Sequence, residues 1–231
     1  MLTTEEMKKL AGESALDYIR PGMTIGLGTG STVYYFIEAL ARRVAEGFPI
    51  RAVPTSSRTA ELARLRNIPL IDPQEAAMLD LTVDGADEID QEMQLIKGGG
   101  GALLREKIVA AASRELLIIA DAGKLVERLG AFPLPVETIP FGWTHTQRHI
   151  TGRLACPQVL LRRSAGQPFL TDHGNYILDC HFGWIRDAVA ISQELNAIPG
   201  VAENGLFIGM ADRVLLGRSD GTLMVMERRR G

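Results

Sequence analysis

The sequence predicts an α/β protein: a doubly wound parallel sheet covered by helices, carrying a smaller inserted α+β unit. Short apolar runs alternate with stretches of helical period from the first residues to Lys124, the pattern of strand–helix–strand units in a parallel sheet. Leu116–Ala120 is a nearly pure apolar run of five residues, as expected of a strand buried on both faces. From Phe132 onward the texture changes, with Pro133, Pro135 and Pro140 interrupting and strand and helix signals following in α+β order.

The elements follow in order. Thr3 or Thr4 with the glutamates behind it starts a helix whose apolar positions run from Met7 to Ile19, and Pro21-Gly22 closes it. Met23–Leu27 is a strand, Gly28–Thr32 a glycine turn, and Val33–Val44 a helix. Ile50–Val53 and Pro69–Ile71 read as strands around a helix at 57–66. Leu79–Val83 is a strand that runs into an acidic segment; Met93–Ile96 is followed by the glycines 98–101, and Leu103–Ser113 forms a helix. In the insertion, a polar turn at 171–175 precedes a strand at 176–180, a helix spans 185–195 and Pro199-Gly200 turns the chain. Of three strand candidates in the tail, at 206–210, 213–217 and 222–227, the last two rejoin the main sheet. The expected domains are 1–131 plus 208–231, and 132–207.

Composition removes several classes of function. The 231 residues carry 25 Lys+Arg against 28 Asp+Glu, a formal charge of −3, so there is no global positive field to draw in nucleic acid or an acidic membrane. No run of 18 apolar residues and no signal-peptide core occurs, which predicts neither membrane span nor export. Cys156 and Cys180 are the only cysteines, too few for a disulfide framework or a four-thiolate zinc site; with no export signal, they point to the cytoplasm. His145 and His149, four apart, lack the glutamate and third ligand of a zinc site.

Ligands of open parallel sheets sit beyond the carboxyl ends of the strands, and glycine or acidic clusters follow the strands here. Gly26-Leu-Gly-Thr-Gly-Ser-Thr32 allows close approach to an anion and supplies the hydroxyls of Thr29, Ser31 and Thr32 around Gly30. It lacks the Gly-Lys-Ser/Thr ending of a phosphate-binding loop and the third glycine of a dinucleotide fingerprint, and a plain strand-to-helix turn also accounts for it. Asp84 and Asp87 flank Gly85-Ala86; neighbouring carboxylates can hold one proton for acid–base work, bind a divalent cation, or merely cap a solvated turn. Lys97 stands beside Gly98, Gly99, Gly100 and Gly101, a run with an entropic cost that suggests something must approach the main chain. Glu106, a turn into the next helix, either faces the same cleft or pairs with a lysine or arginine on the helix surface. Lys124 adds a cation at the same sheet edge.

Together, GLGTGST at 26–32, DGADEID at 84–90, KGGGGALLREK at 97–107 and ADAGK at 120–124, with GNYILD at 174–179 and PGVAENGLFIGMAD at 199–212, resemble the ribose-5-phosphate isomerase A family. The resemblance implies a Rossmann-like domain with an inserted ferredoxin-like α+β domain. It implies interconversion of ribose 5-phosphate and ribulose 5-phosphate in the pentose phosphate pathway, without metal or organic cofactor. It further implies Glu106 as the proton-transferring base, with Thr29–Thr32, Asp84–Asp87, Lys97–Gly100 and Lys124 lining the substrate site. On that mechanism Lys97 and the glycine amides are candidates to stabilise the developing oxyanion, and Asp84 or Asp87 handles hydroxyl protons.

A sugar-phosphate sensor with no turnover, an acyl-CoA transferase, and a sugar-phosphate deaminase on a related fold are the competing readings. Three carboxylates around a dianion disfavour the sensor. The apolar insertion with Phe169, Phe182 and Trp184 predicts a homodimer or homotetramer.

Overall fold

The computed structural model describes residues 1–228, and these divide into two compact units: 1–86, 105–124 and 210 onward in the first, 87–104 and 125–209 in the second. The strands are β1 Thr24–Leu27, β2 Arg51–Pro54, β3 Leu81–Asp84, β4 Glu88–Ile89, β5 Leu95–Ile96, β6 Leu116–Asp121, β7 Leu134–Thr138, β8 Gln158–Leu161, β9 Arg163–Ser164, β10 Gln167–Pro168, β11 Tyr176–His181, β12 Val201–Asn204, β13 Leu206–Phe207, β14 Arg213–Gly217 and β15 Leu223–Glu227. The α-helices are α1 Thr4–Ser14, α2 Ser31–Ala45, α3 Ser57–Leu65, α4 Leu103–Ala111, α5 Trp143–Arg153 and α6 Ala188–Asn196.

The first unit is built on a six-stranded sheet, β15-β14-β6-β3-β1-β2, parallel except for the edge strand β15. All six residues of β6 are buried, as its apolar run predicts for a strand covered on both faces. Ile25, Leu27, Val83, Leu117 and Ile119 share one core with residues of α1 and α2, and burying each such side chain contributes about 1.5–3 kcal/mol. On the other face α4 comes so near that a Cβ on Gly26 would lie 2.6 Å from Val109 Cγ1 and 2.0 Å from Thr82 Oγ1. The first helix starts as its sequence dictates: the Thr3 side chain caps it, and Glu6 accepts a hydrogen bond back from the Thr3 amide.

The second unit runs β7-α5-β8-β11-α6-β12 and pairs as an antiparallel sheet of order β12-β7-β11-β8, the β-α-β-β-α-β ferredoxin-like arrangement. Leu134, Val136, Val159, Leu178 and Cys180 form its core with Ile150 of α5 and Leu195 of α6. A second, three-stranded sheet, β13-β5-β4, groups residues 87–104 with this unit.

Several expected elements differ: the first α-helix stops at Ser14 and continues as a 3₁₀ turn over Ala15–Tyr18, and the strand expected at 206–210 is only Leu206–Phe207. At 69–71 there is no strand, only a bridge of Leu70 to Ala52, because Pro69 and the short loop leave room for one pairing. The helix expected at 185 begins at Ala188, since the Ile185 amide donates to Leu129 O at 2.7 Å and Asp187 caps the helix through the Ala190 amide.

Candidate active site

In the first unit the turn after β1 and the end of β3 are built against each other. Asp84 is 1% exposed; its Oδ1 accepts from the Thr29 amide at 3.0 Å and the Gly85 amide at 2.7 Å. A Cβ on Gly28 would fall 2.1 Å from that oxygen, so glycine is the residue that lets the turn approach the carboxylate. Gly30 takes φ +140° and starts α2 without a side-chain cap. The N-terminus of α2 therefore presents uncapped amides and the positive end of the helix dipole, with Ser31 exposed and Thr32 buried.

Thr29 is held from behind by hydroxyls. Its Oγ1 lies 2.9 Å from Thr55 Oγ1, 2.8 Å from Ser56 Oγ and 3.0 Å from Thr59 Oγ1, and Thr59 Oγ1 donates to Gly28 O at 2.8 Å. A cleft of about 210 Å³ opens here, lined by Gly28–Ser31, Tyr34, Arg58 and Thr59. The structure thus brings Thr29–Thr32 and Asp84 together, with Gly85 and Ala86 half-buried at the strand end. Glu106 sits in the first turn of α4 and is 4% exposed, so it is no solvated partner on a helix surface. Lys124 closes the short 3₁₀ turn after β6, half-buried.

In the second unit the segment 97–101 is held from several sides. Lys97 is 2% exposed, with its ammonium 5.3 Å from the Phe207 ring centroid. The Lys97 amide donates to Gly205 O, the Gly99 amide to Asp87 Oδ2 at 2.7 Å and the Gly101 amide to Gly98 O. Arg162 Nη1 donates to Gly98 O at 2.9 Å and Gly99 O at 3.0 Å. Gly100 stays exposed. Three amides of this segment therefore already donate within the protein.

The acidic motif divides its labour. Asp84 holds the first glycine turn and Asp87 the second. Glu88, 4% exposed, accepts from the Gly130 and Phe132 amides at 2.7 and 2.6 Å, a purely structural task. Asp90 accepts from the Glu92 and Gln94 amides, while burial pushes its carboxyl above the usual range.

The remaining candidates lie apart from this chemistry. Among the described residues no three His, Cys, Asp or Glu side chains gather as ligands for a metal ion, and His145 and His149 are exposed on α5. Both cysteines are free and buried; the hydrogen bond with Cys156, together with burial, drives the Cys180 thiol well up, which suits core packing and not nucleophilic attack. A larger cleft of about 500 Å³ in the second unit, among Asp90, Arg128, Trp184 and Asp187, contains none of the predicted site residues. No described helix is long and apolar enough to cross a membrane.

Residues 51–221 match the family model described as ribose 5-phosphate isomerase A (phosphoriboisomerase A). The chain belongs to the ribose-5-phosphate isomerase A family. It is 54% identical over 216 residues to ribose-5-phosphate isomerase A of Bacillus mycoides (strain KBAB4), covering 93% of this chain and 97% of that one. Among solved structures, a D-ribose-5-phosphate isomerase in complex with phospho-erythronic acid is 39% identical with a TM-score of 0.94, covering 98% of this chain and 100% of that one. Ribose 5-phosphate isomerase A from Neisseria gonorrhoeae is 40% identical with a TM-score of 0.91, and each chain is covered in full.

Within that family frame, reading the sequence overlooked two groups. The Thr55, Ser56 and Thr59 hydroxyls had a signal, since Ser56 with Thr59 is a helix start whose cap also faces a glycine turn. Arg162 and Asp179 had one too: Asp179 interrupts the apolar run Tyr176-Ile-Leu-Asp-Cys, and a carboxylate inside a central strand calls for a partner.

Proposed function

We propose that Glu106 isomerises D-ribose 5-phosphate to D-ribulose 5-phosphate, and back, by carrying one proton between C2 and C1. The activity is that of the family, aldose–ketose isomerisation in the non-oxidative pentose phosphate pathway. The observation that carries the assignment of the base is Glu106 itself: a carboxylate withdrawn from solvent at the start of α4, the helix that follows the glycine run in the sequence. A base shielded from bulk water can keep the abstracted proton for return to the neighbouring carbon.

The steps balance on these residues. After ring opening, the Glu106 carboxylate takes the C2 proton; the bonding pair forms the C1–C2 double bond of a cis-enediolate, and charge moves to the C1 oxygen. Glu106 then gives its proton to C1, drawing on the C1–C2 double-bond pair, while the C2 hydroxyl proton passes to the C1 oxygen, which leaves a C1 hydroxyl and the ketose carbonyl at C2. The Lys97 ammonium is suited to the oxyanion, since the amides of Lys97, Gly99 and Gly101 donate elsewhere; losing one such donor typically costs about 10²–10³ in turnover. Thr29, Gly30, Ser31 and Thr32 at the uncapped start of α2 suit the phosphate. Gly85, Ala86, Gly98, Gly100 and Lys124 complete the lining, and Asp84 or Asp87 moves hydroxyl protons in ring opening.

Comparing Asp84→Asn with Asp87→Asn on cyclic and open-chain substrate identifies which one: the variant slow only on the cyclic form has lost the ring-opening group. Glu106→Gln should retain the fold and abolish ketose formation; ketose at the wild-type rate would refute the assignment.

The same reading makes the protein a cytoplasmic homodimer or homotetramer acting on a small sugar phosphate, without metal or organic cofactor. The exposed rings of Phe141 (91%) and Trp184 (52%) support self-association. Light scattering on a gel-filtration peak tests it, and a 25.2 kDa species would refute it.

A further inference from the structure

The second unit contains an ion pair that the proposed chemistry leaves unused. Asp179 lies in β11, flanked by Leu178 and Cys180, which point into the core of that unit, so alternation turns Asp179 to the opposite face. There it meets Arg162, which follows β8: Nε donates to Oδ2 at 2.9 Å and Nη2 to Oδ1 at 2.5 Å. The side chains are only 15% and 19% exposed. The fork is the geometry at which Arg recognises carboxylate, and it leaves Nη1 free of Asp179.

That nitrogen reaches Gly98 O and Gly99 O together. In a trans peptide the N–H points away from the C=O. The Gly98–Gly99 peptide is accordingly gripped at both ends, its carbonyl by Arg162 and its amide by Asp87 Oδ2. The Gly99–Gly100 peptide shares the carbonyl grip, which turns the Gly100 amide away from Arg162 as well. Phe169 stiffens the arrangement. Its ring centroid is 5.9 Å from the guanidinium carbon, and it sits where a Cβ on Gly101 would lie, 2.4 Å from the ring.

We propose that Arg162, braced by Asp179, is a positioning residue for the isomerisation: it fixes the peptide planes of 98–100 so that the Gly100 amide and Lys97 are preset for the substrate. A loop of four glycines does not by itself select one set of peptide orientations. A bidentate guanidinium anchored in a β-sheet does so. This rests on the reading that Lys97–Gly100 meet the sugar phosphate.

The test uses Arg162→Lys, Asp179→Asn and the double variant in the full chain, with Lys97→Met in parallel. Lysine keeps the charge but cannot hold Asp179 and two carbonyls at once, and asparagine keeps the shape of Asp179 if the arginine variant folds poorly. Misplacing the loop should lower kcat/KM about 10–100-fold, mainly through kcat, with far-UV circular dichroism unchanged. The double variant should be no worse than the poorer single one, as for two residues acting as a unit. Hydrogen exchange should quicken at 98–101 and not in β7 or β11. If Lys97→Met stops turnover while the Arg162 and Asp179 variants keep wild-type kcat and KM, the positioning role is overturned and the site reading stands. If Lys97→Met turns over normally, the site reading has failed and this inference with it.

Discussion

The glycine turn at 26–32 and the glycine run at 97–101 look alike on paper, yet different forces hold them. In the first, Gly26 and Gly28 answer to crowding, with ordinary φ angles and a Cβ on Gly28 that would overlap the Asp84 side chain, and Gly30 alone takes a positive φ. Behind Thr29 it is held by the Thr55, Ser56 and Thr59 hydroxyls, and the buried Asp84 carboxylate takes the Thr29 amide. In the second, Gly98 and Gly101 need positive φ, +103° and +82°, and ionised groups, Asp87 and Arg162, grip the peptides. A turn placed by packing needs few directed bonds, because its neighbours leave it one position. A run without side chains has no packing of its own, and strong directed hydrogen bonds must supply the order.

Substitutions at four positions probe that contrast. Gly28→Ala meets Asp84 Oδ1 at 2.1 Å and its Cα at 2.6 Å, and overpacking so tight a site should cost about 3 kcal/mol or more. Denaturant unfolding should show the loss, with kcat/KM falling as Asp84 is displaced. Gly101→Ala combines positive φ with the Phe169 ring at 2.4 Å, for about 2–3 kcal/mol. Adding Phe169→Leu should restore only the steric part, about 1 kcal/mol; full restoration would mean that conformation contributes nothing.

Gly30→Ala is a purely conformational change, since no atom lies within 4 Å of the added Cβ while φ is +140°. It should cost about 1–2 kcal/mol in thermal unfolding, and a cost near zero would remove backbone strain from the description of this turn. Thr59→Val keeps the shape and deletes the hydroxyl that donates to Gly28 O. About 1 kcal/mol should be lost, with KM for ribose 5-phosphate rising more than kcat falls and Thr59→Ser restoring both.

How far the sequence revealed all this depended on the range of the signal. β6 was legible because a strand buried on both faces reads as a nearly unbroken apolar run, β1, β3 and β14 because short apolar-rich segments end in turns, and α4 because its period follows the glycines. The four glycine and acid clusters stood out in the sequence because such short spacings have few uses. The three-stranded sheet of β4, β5 and β13 was not: two-residue strands have no period, and what groups 87–104 with the second unit is pairing with residues more than a hundred positions away. Glu106 was visible as a residue, but only burial removes the reading as a solvated surface ion pair, and burial comes from the tertiary fold. Asp179 signals that a partner exists, but nothing local ties Arg162 to the carbonyls it grips, which lie 63 and 64 positions earlier.

One label experiment bears most directly on the role of Glu106. Ribose 5-phosphate is incubated with enzyme in heavy water, and the ribulose 5-phosphate formed is examined at C1. Carried out with the wild-type chain and with Glu106→Gln, it should give ketose with partial deuterium at C1 in the first case and neither ketose nor label in the second. Labelled ketose formed by the Glu106→Gln chain at an undiminished rate would contradict the account.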